Sequence, residues 1–326
     1  MKPKVYITRQ LPDRALAIIA EACDFRMWPE AENAVPANVL DEEIRDVDGV
    51  LSLLTEQWDG ARLARAPRLR VLANMAAGYD NVSIPDCTAR GVLVTNTRGV
   101  LTETTADLTW ALLMATARRL PEAERVLKAG RWQTWSPMML TGQDVYGATL
   151  GIIGMGRIGR AVARRSLGFA MPIIYTGRHR HEEAEAELGA RYLPLDDLLR
   201  QSDFVVVQVP LSAETRGLLG ARELTLMKPT ACLINTARGG IVDEAALYDA
   251  LVGGRLWAAG LDVFASEPAA HDHPLLGLDN VVALPHIGSA SIATRTRMAT
   301  LAAENLVAAL TGGRPPTPVN PEAWSQ

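Results

Sequence analysis

The stretch Thr149–Arg165, TLGIIGMGRIGRAVARR, decides the fold. An apolar run of strand type leads straight into G-x-G-x-x-G at Gly154, Gly156 and Gly159, and a helical pattern follows at once. Gly154 permits a tight turn, Gly156 lets the backbone approach a pyrophosphate, and Gly159 lets helix and strand pack closely. The N-terminus of the following helix offers unpaired N–H groups and a partial positive charge to phosphates. A lone glycine pattern is weak, but in this strand–turn–helix setting it predicts a dinucleotide site. The bland alternative is a glycine turn that merely packs tightly.

The next strand ends in IIYTGRHR, Ile173–Arg180. About twenty residues beyond such a turn an Asp or Glu ordinarily holds the ribose hydroxyls of NAD. Gly177 stands there instead. A carboxylate at that point would repel the extra phosphate of NADP; glycine leaves room for it. Arg178 and Arg180 follow, and arginine offers phosphate a planar fork of donors, with the Thr176 hydroxyl beside them. The reading is an NADP(H) pocket. The alternatives are tolerance of NAD(H) as well, or solvated arginines on a loop.

Outward from this centre, short apolar runs alternate with amphipathic ones. KVYIT, GVLSLL, LRVLANM and GVLVTNT read as one series of strands, and ATLGIIG, PIIYTG, DFVVVQVP, ACLINTA, LWAAGLDVF and VVALPH as a second. Continuous apolar strands separated by helices imply parallel sheets covered on both faces, an α/β fold. Helical spacing continues through ETTADLTWALLMATARRL, with Thr102 and Thr104–Thr105 as expected caps and Gly130 as the end. GGRPPTPVNPE near the C-terminus reads as an irregular tail.

A length of 326 residues suggests two domains. Hydrophobic residues at 48% and charged residues at 21% suit a chain with a buried core. A net charge of −4 argues against nucleic acid as a partner. Cys23, Cys87 and Cys232 are odd in number and far apart, which predicts no disulfide framework and suits a cytoplasmic protein. No apolar run suits a signal peptide or a membrane span. His271 and His273 could be ligands but lack a third group, so no metal site is expected.

Three charged residues sit at strand ends in the second series. Arg238 lies between a strand and a helix that Asp243 should cap, Glu267 lies in LDVFASEP, and His286 lies in VVALPHIGSAS. Each alone has a plain reading: a surface ion pair, a solvated loop residue, a satisfied histidine. Together, beyond a nucleotide fingerprint, they suggest an oxidoreductase. Arg binds an anionic substrate, His donates a proton to a carbonyl that receives hydride, and Glu orients the His and raises its pKa.

The motifs GYDNV, GVLTETTADLTWALL, GIIGMGRIGRAVA, VVVQVPLSAETRGLLG, MKPTACLINTARGGIVDEAAL, GLDVFASEP and LPHIGSAS carry a further reading. Across nearly the whole chain the sequence resembles the D-isomer-specific 2-hydroxyacid dehydrogenases, most closely their glyoxylate/hydroxypyruvate reductase branch. The resemblance implies two Rossmann-like or flavodoxin-like domains with an active-site cleft between them. It places the substrate domain at residues 1–98 plus 290–326, the nucleotide domain at 99–289, and a dimerisation arm at about 118–147. Arg238 would bind the substrate carboxylate and keto oxygen. His286 would be the general acid, with Glu267 as its partner. Ala77 and Gly78 would offer amides to the carboxylate, and Leu53 would line the substrate. Cofactor contacts would come from Thr105, the turn Gly154, Met155, Gly156, Arg157, Ile158 and Gly159, and from Thr176, Gly177, Arg178 and Arg180. Pro210, Thr215, Thr236, Ala237, Arg238, Asp262, His286 and Gly288 would complete them. Trp135 would reach the active site of a homodimer partner, or with Trp132 simply pack the dimer.

The implied reaction is NADPH-dependent reduction of glyoxylate to glycolate or of hydroxypyruvate to D-glycerate. A 2-ketogluconate (2-ketoaldonate) reductase is the runner-up. A dinucleotide-sensing corepressor is the reading from another class. Many members of the family carry Asp where this chain has Gly177.

Overall fold

The computed structural model describes residues 1–324. The chain divides into two compact units, Met1–Leu101 with the segment from Ala290 onward, and Thr102–Ser289.

The first unit holds five parallel strands: β1 Lys4–Ile7, β2 Asp24–Met27, β3 Gly49–Ser52, β4 Val71–Asn74 and β5 Leu93–Thr95. Their spatial order is β2-β1-β3-β4-β5, the flavodoxin-like winding. Tyr6, Val50, Leu72 and Val94 come from successive strands and meet in one core, together with Leu40, Leu63 and Trp58. The 19-residue helix Ile292–Leu310 packs on β3, β4 and β5. The C-terminal segment is more ordered than its Pro- and Gly-rich letters suggest. Asn320 is buried; its side chain accepts from the Val94 amide at 2.7 Å and donates to the Val92 carbonyl at 3.0 Å, which pins the tail to β5.

The second unit holds seven parallel strands: β6 Leu150–Ile153, β7 Ile173–Thr176, β8 Arg191–Tyr192, β9 Phe204–Val207, β10 Cys232–Asn235, β11 Ala258–Leu261 and β12 Val281–Ala283. They lie in the order β12-β11-β10-β9-β6-β7-β8. This is the dinucleotide-binding winding with one extra strand, and its order reverses between β6 and β9. Side chains alternate along each strand, so the sheet feeds two cores. Leu150, Ile152, Phe204, Val206 and Ile234 enter one; Ile153, Val205, Val207 and Leu233 enter the other. Both faces are therefore apolar, which is why these strands read as unbroken hydrophobic runs.

Two expectations change. Thr102, Thr104 and Thr105 lie inside the helix Thr102–Ala117 and do not precede it. That helix also ends early, because Arg119 takes a left-handed φ of 53°, and a second helix, Leu120–Lys128, starts with Pro121 in its first turn. Two strands, β2 and β8, escape a search for apolar runs because exposed charged residues interrupt their half-buried ones.

Candidate active site

The glycine turn is shaped by what its residues lack. Gly154 has φ +105°, and a Cβ there would collide with the Gln208 carbonyl. A Cβ on Gly159 would collide with the carbonyl of Gly154. Gly156 has nothing within 4 Å of where its Cβ would stand. It precedes the helix Arg157–Ser166, whose N-terminus has no side-chain cap. Open space before uncapped amides suits a pyrophosphate. Met155 turns its side chain into the core, so only its backbone faces the turn.

The turn after β7 is built on that one. The Gly154 amide donates to the Thr176 carbonyl at 2.9 Å. Beneath the turn the buried Tyr175 hydroxyl accepts from the His181 amide and donates to Glu185, each at 2.7 Å. Tyr192 donates to the Gly177 carbonyl at 3.3 Å. A side chain at Gly177 would meet only the His179 carbonyl, at 3.8 Å, so there is room in front of the strand. Arg180 is paired with Glu185 at 2.5 Å, and hydrogen bonds from Arg180 and Tyr175 hold that carboxyl below its usual range. Arg178 is exposed; a hydrogen bond from Ser212 lowers the pKa of Glu214, and the charge of Arg178 adds to it.

Further along the strand ends, the Thr236 hydroxyl accepts from the Gln208 side-chain amide and shares a hydrogen bond with the Thr109 hydroxyl, each at 2.7 Å. Thr215 accepts from the Ser212 amide at 2.8 Å and donates to the Pro210 carbonyl at 2.6 Å, closing that turn. Asn235 ends β10. It accepts from the Ala237 amide at 3.1 Å and donates to the Arg238 carbonyl at 2.9 Å, which fixes the backbone that presents Arg238. The Arg238 guanidinium donates to the Ala237 carbonyl at 2.8 Å.

His286 and Glu267 meet. His286 Nδ1 lies 2.6 Å from Glu267 Oε2, and the two side chains are 24% and 29% exposed. Burial pushes the Glu267 carboxyl up. The hydrogen bond and charge of His286, the Phe264 amide and the charge of Arg238 outweigh it and leave the pKa below its ordinary value. An ionised carboxylate only accepts, so Nδ1 carries the proton in this pair. Nε2 is then the nitrogen left for chemistry.

Asp262, at the end of β11, holds this histidine in place. Its carbonyl accepts from the His286 amide at 2.8 Å, and its two carboxylate oxygens accept from the Ile287 and Gly288 amides at 2.7 and 2.8 Å. Burial raises the Asp262 pKa, and those amides and the His286 charge oppose the rise. The grip matters because His286 has φ +54°. A left-handed conformation costs a residue with a side chain about 1–2 kcal/mol. Thr105 is buried beside Gly288, with its methyl 3.4 Å from where a Cβ at 288 would stand.

In the first unit, the turn after β4 carries Ala77 and Gly78. The Ala76, Ala77 and Gly78 carbonyls accept from the Thr97 amide at 2.8 Å, Asn96 at 2.7 Å and Asn74 at 3.0 Å. In a planar trans peptide the N–H points opposite its C=O. The clamp therefore turns the Ala77 and Gly78 amides together, away from those donors. The Leu53 amide donates to the buried Glu56 carboxylate at 2.8 Å.

Comparison with known proteins fits this architecture. Residues 110–288 match the family model described as the D-isomer specific 2-hydroxyacid dehydrogenase, NAD binding domain. A glyoxylate reductase of Thermococcus gammatolerans is 52% identical over 99% of this chain and 97% of its own. The chain belongs to the D-isomer-specific 2-hydroxyacid dehydrogenases. Among solved structures, a Thermus thermophilus protein superposes on this dehydrogenase with TM-score 0.90 and 42% identity, covering 97% of this chain and 99% of its own. The NADPH-dependent glyoxylate/hydroxypyruvate reductase of Sinorhizobium meliloti, solved with NADP and malonate, has TM-score 0.86 and 36% identity over 100% and 99% of the two chains.

Sequence reasoning missed Asn235, Gly239 and Glu244, and it gave Asp262 a cofactor contact without its hold on the His286 turn. Gly239, Glu244 and Asp262 act on backbone far away in the chain, where local pattern carries no signal, whereas Asn235 acts on the turn that follows it. Among the described residues no group of three or more His, Cys, Asp or Glu could hold a metal ion, and no helix is long and apolar enough to cross a membrane. All three cysteines are free and buried.

Proposed function

We propose that this dehydrogenase reduces small 2-oxo acids to D-2-hydroxy acids with NADPH, taking glyoxylate to glycolate and hydroxypyruvate to D-glycerate. The carrying observation is the His286–Glu267 pair at 2.6 Å, set on the same strand ends as Arg238 and the glycine turn. The 52% identity to a glyoxylate reductase supports the choice of substrate.

Arg238 binds the substrate carboxylate and stabilises negative charge on the carbonyl oxygen as it builds. His286, as imidazolium, donates its Nε2 proton to that oxygen. The Glu267 carboxylate stabilises the imidazolium and keeps its ring in register. Leu53 and the Ala77 and Gly78 amides are further substrate contacts. Bound at the Gly154–Gly159 turn, NADPH would supply the hydride to the carbonyl carbon.

Arg178 carries the phosphate preference and Thr176 supports it, because Gly177 leaves room where a carboxylate at that position would repel. Arg180 is committed to Glu185 and shapes the turn. NAD(H) is the alternative cofactor. A homodimer is assigned to the arm at about 118–147, where Trp135, Met138 and Tyr146 are 72%, 76% and 75% exposed. Apolar groups gathered on one segment suit a partner surface.

The test is steady-state turnover of glyoxylate, hydroxypyruvate and 2-ketogluconate. Turnover of the first two with NADPH, giving D-glycerate from hydroxypyruvate, is expected. A preference for 2-ketogluconate would transfer the assignment to the runner-up, and no turnover of any of the three would overturn it.

A further inference from the structure

Arg238 and Glu267 stand on loops, and one peptide lies against both. The Phe264 amide donates to Glu267 Oε1 at 3.0 Å, so the proposed catalytic carboxylate is braced by its own loop. The next amide, Ala265, donates to Glu244 Oε1 at 2.6 Å. On the other side Gly239 follows Arg238 directly, and a Cβ on Gly239 would collide with the Phe264 carbonyl and the Ala265 nitrogen. The Phe264–Ala265 peptide is thus set between the Arg238 turn and Glu244.

Glu244 is held in turn. It is the first residue of the helix Glu244–Val252, which Asp243 caps by accepting from the Ala246 amide at 3.0 Å. Its second oxygen lies 3.2 Å from His273 Nε2. His273 Nδ1 accepts from the Leu275 amide at 3.3 Å, so Nε2 carries the proton and donates to Glu244. The His273 ring stands edge-on to Phe264, with centroids 5.4 Å apart. The Glu244 and His273 side chains are 21% and 18% exposed, so both groups are largely withdrawn from water.

We infer that Glu244, oriented by His273, is a positioning residue for the reaction: it fixes the Phe264–Ala265 peptide and thereby the Glu267 carboxylate and the Arg238 turn. Neither residue touches substrate in this account. Both act on the geometry of the groups that do, and small displacements of such groups are costly to rate. The inference rests on the functional reading above.

Glu244→Asp and Glu244→Gln separate this role from general stability. Aspartate keeps the charge at the helix start but is one methylene too short to reach the Ala265 amide. Glutamine keeps the reach and one oxygen to accept from the Ala265 amide, but its NH2 group replaces the oxygen that accepts from His273. In Glu244→Asp, kcat should fall about tenfold and the 2-oxo acid KM should rise, because the Arg238 turn leans on the same peptide. The cofactor dissociation constant, measured by fluorescence titration, should stay within about twofold, since the glycine turn is separate. Glu244→Gln should recover part of the lost kcat, because it keeps the bond to Ala265 and loses the one to His273.

Wild-type kcat in Glu244→Asp would overturn the inference. So would a Glu244→Gln enzyme as slow as Glu244→Asp, or loss of cofactor binding in step with kcat. The assay uses whichever acid and cofactor the wild type turns over best. A wrong substrate or cofactor therefore shows in the wild type, and a wrong inference shows only in the variants.

Discussion

The glycine turn and the His286 turn both stand at the strand ends of one sheet, and they are made in opposite ways. The glycine turn depends on missing side chains: an open Gly156, a left-handed Gly154, and a Gly159 pressed against the Gly154 carbonyl. The His286 turn depends on hydrogen bonds. Asp262 takes three consecutive amides, from His286, Ile287 and Gly288, and Glu267 takes the imidazole. A surface that must accept a pyrophosphate needs room and donors. A group that must deliver a proton needs one orientation. The contrast teaches that binding and chemistry should fail separately when either turn is altered.

The largest effect is expected at His286. His286→Ala should lower kcat by about a thousandfold, the scale of general acid catalysis, and leave cofactor affinity nearly intact. Asp262→Ala comes next. It strips acceptors from two amides and frees a residue held at φ +54°. Here kcat should fall about a hundredfold with cofactor affinity changed less, and equal losses in both would blur the contrast.

Gly159→Ala strikes the other turn. Its methyl meets backbone that cannot move aside, so unfolding by urea should show a loss of about 1–3 kcal/mol. Cofactor binding should weaken, while kcat at saturating cofactor should hold nearer to wild type.

The smallest effect is on the pH dependence of stability. The folded pKa of Glu267 is lowered from 4.5, so its carboxylate stabilises the fold above that value. The contribution fades as pH falls through the lowered folded value. In Glu267→Gln, melting temperature followed from neutral to acid pH should decline less steeply in that window. An unchanged slope would mean that the carboxylate gains nothing on folding.

How far the letters reached differs between the same two regions. Gly154 and Gly159 were readable because each answers a backbone requirement that only glycine meets, and Gly156 because the spacing marks the open approach between them. The parallel α/β fold was readable because strands apolar on both faces leave unbroken hydrophobic runs. The charged residues Arg238, Glu267 and His286 stood out at the ends of such runs, and the structure brings the last two into contact. What joins them was not readable. Gly239 and Glu244 act through contacts between loops, Asn235 acts through its side chain on the turn after β10, and Asp262 looked like one more acid after a strand. Edge strands β2 and β8 mix charged and half-buried residues and leave no apolar run, and the anchoring of the tail by Asn320 is set by partners far off in the chain.

The central claim is that Gly177 and Arg178 fit this site to NADPH, and the most direct test is one ratio. It is kcat/KM for NADPH over that for NADH at saturating glyoxylate, measured in the wild type, Arg178→Ala and Arg180→Ala. The account predicts a wild-type ratio well above one, most of it lost in Arg178→Ala and little in Arg180→Ala, whose guanidinium is engaged by Glu185. A wild-type preference for NADH, or a ratio untouched by Arg178→Ala, would contradict it.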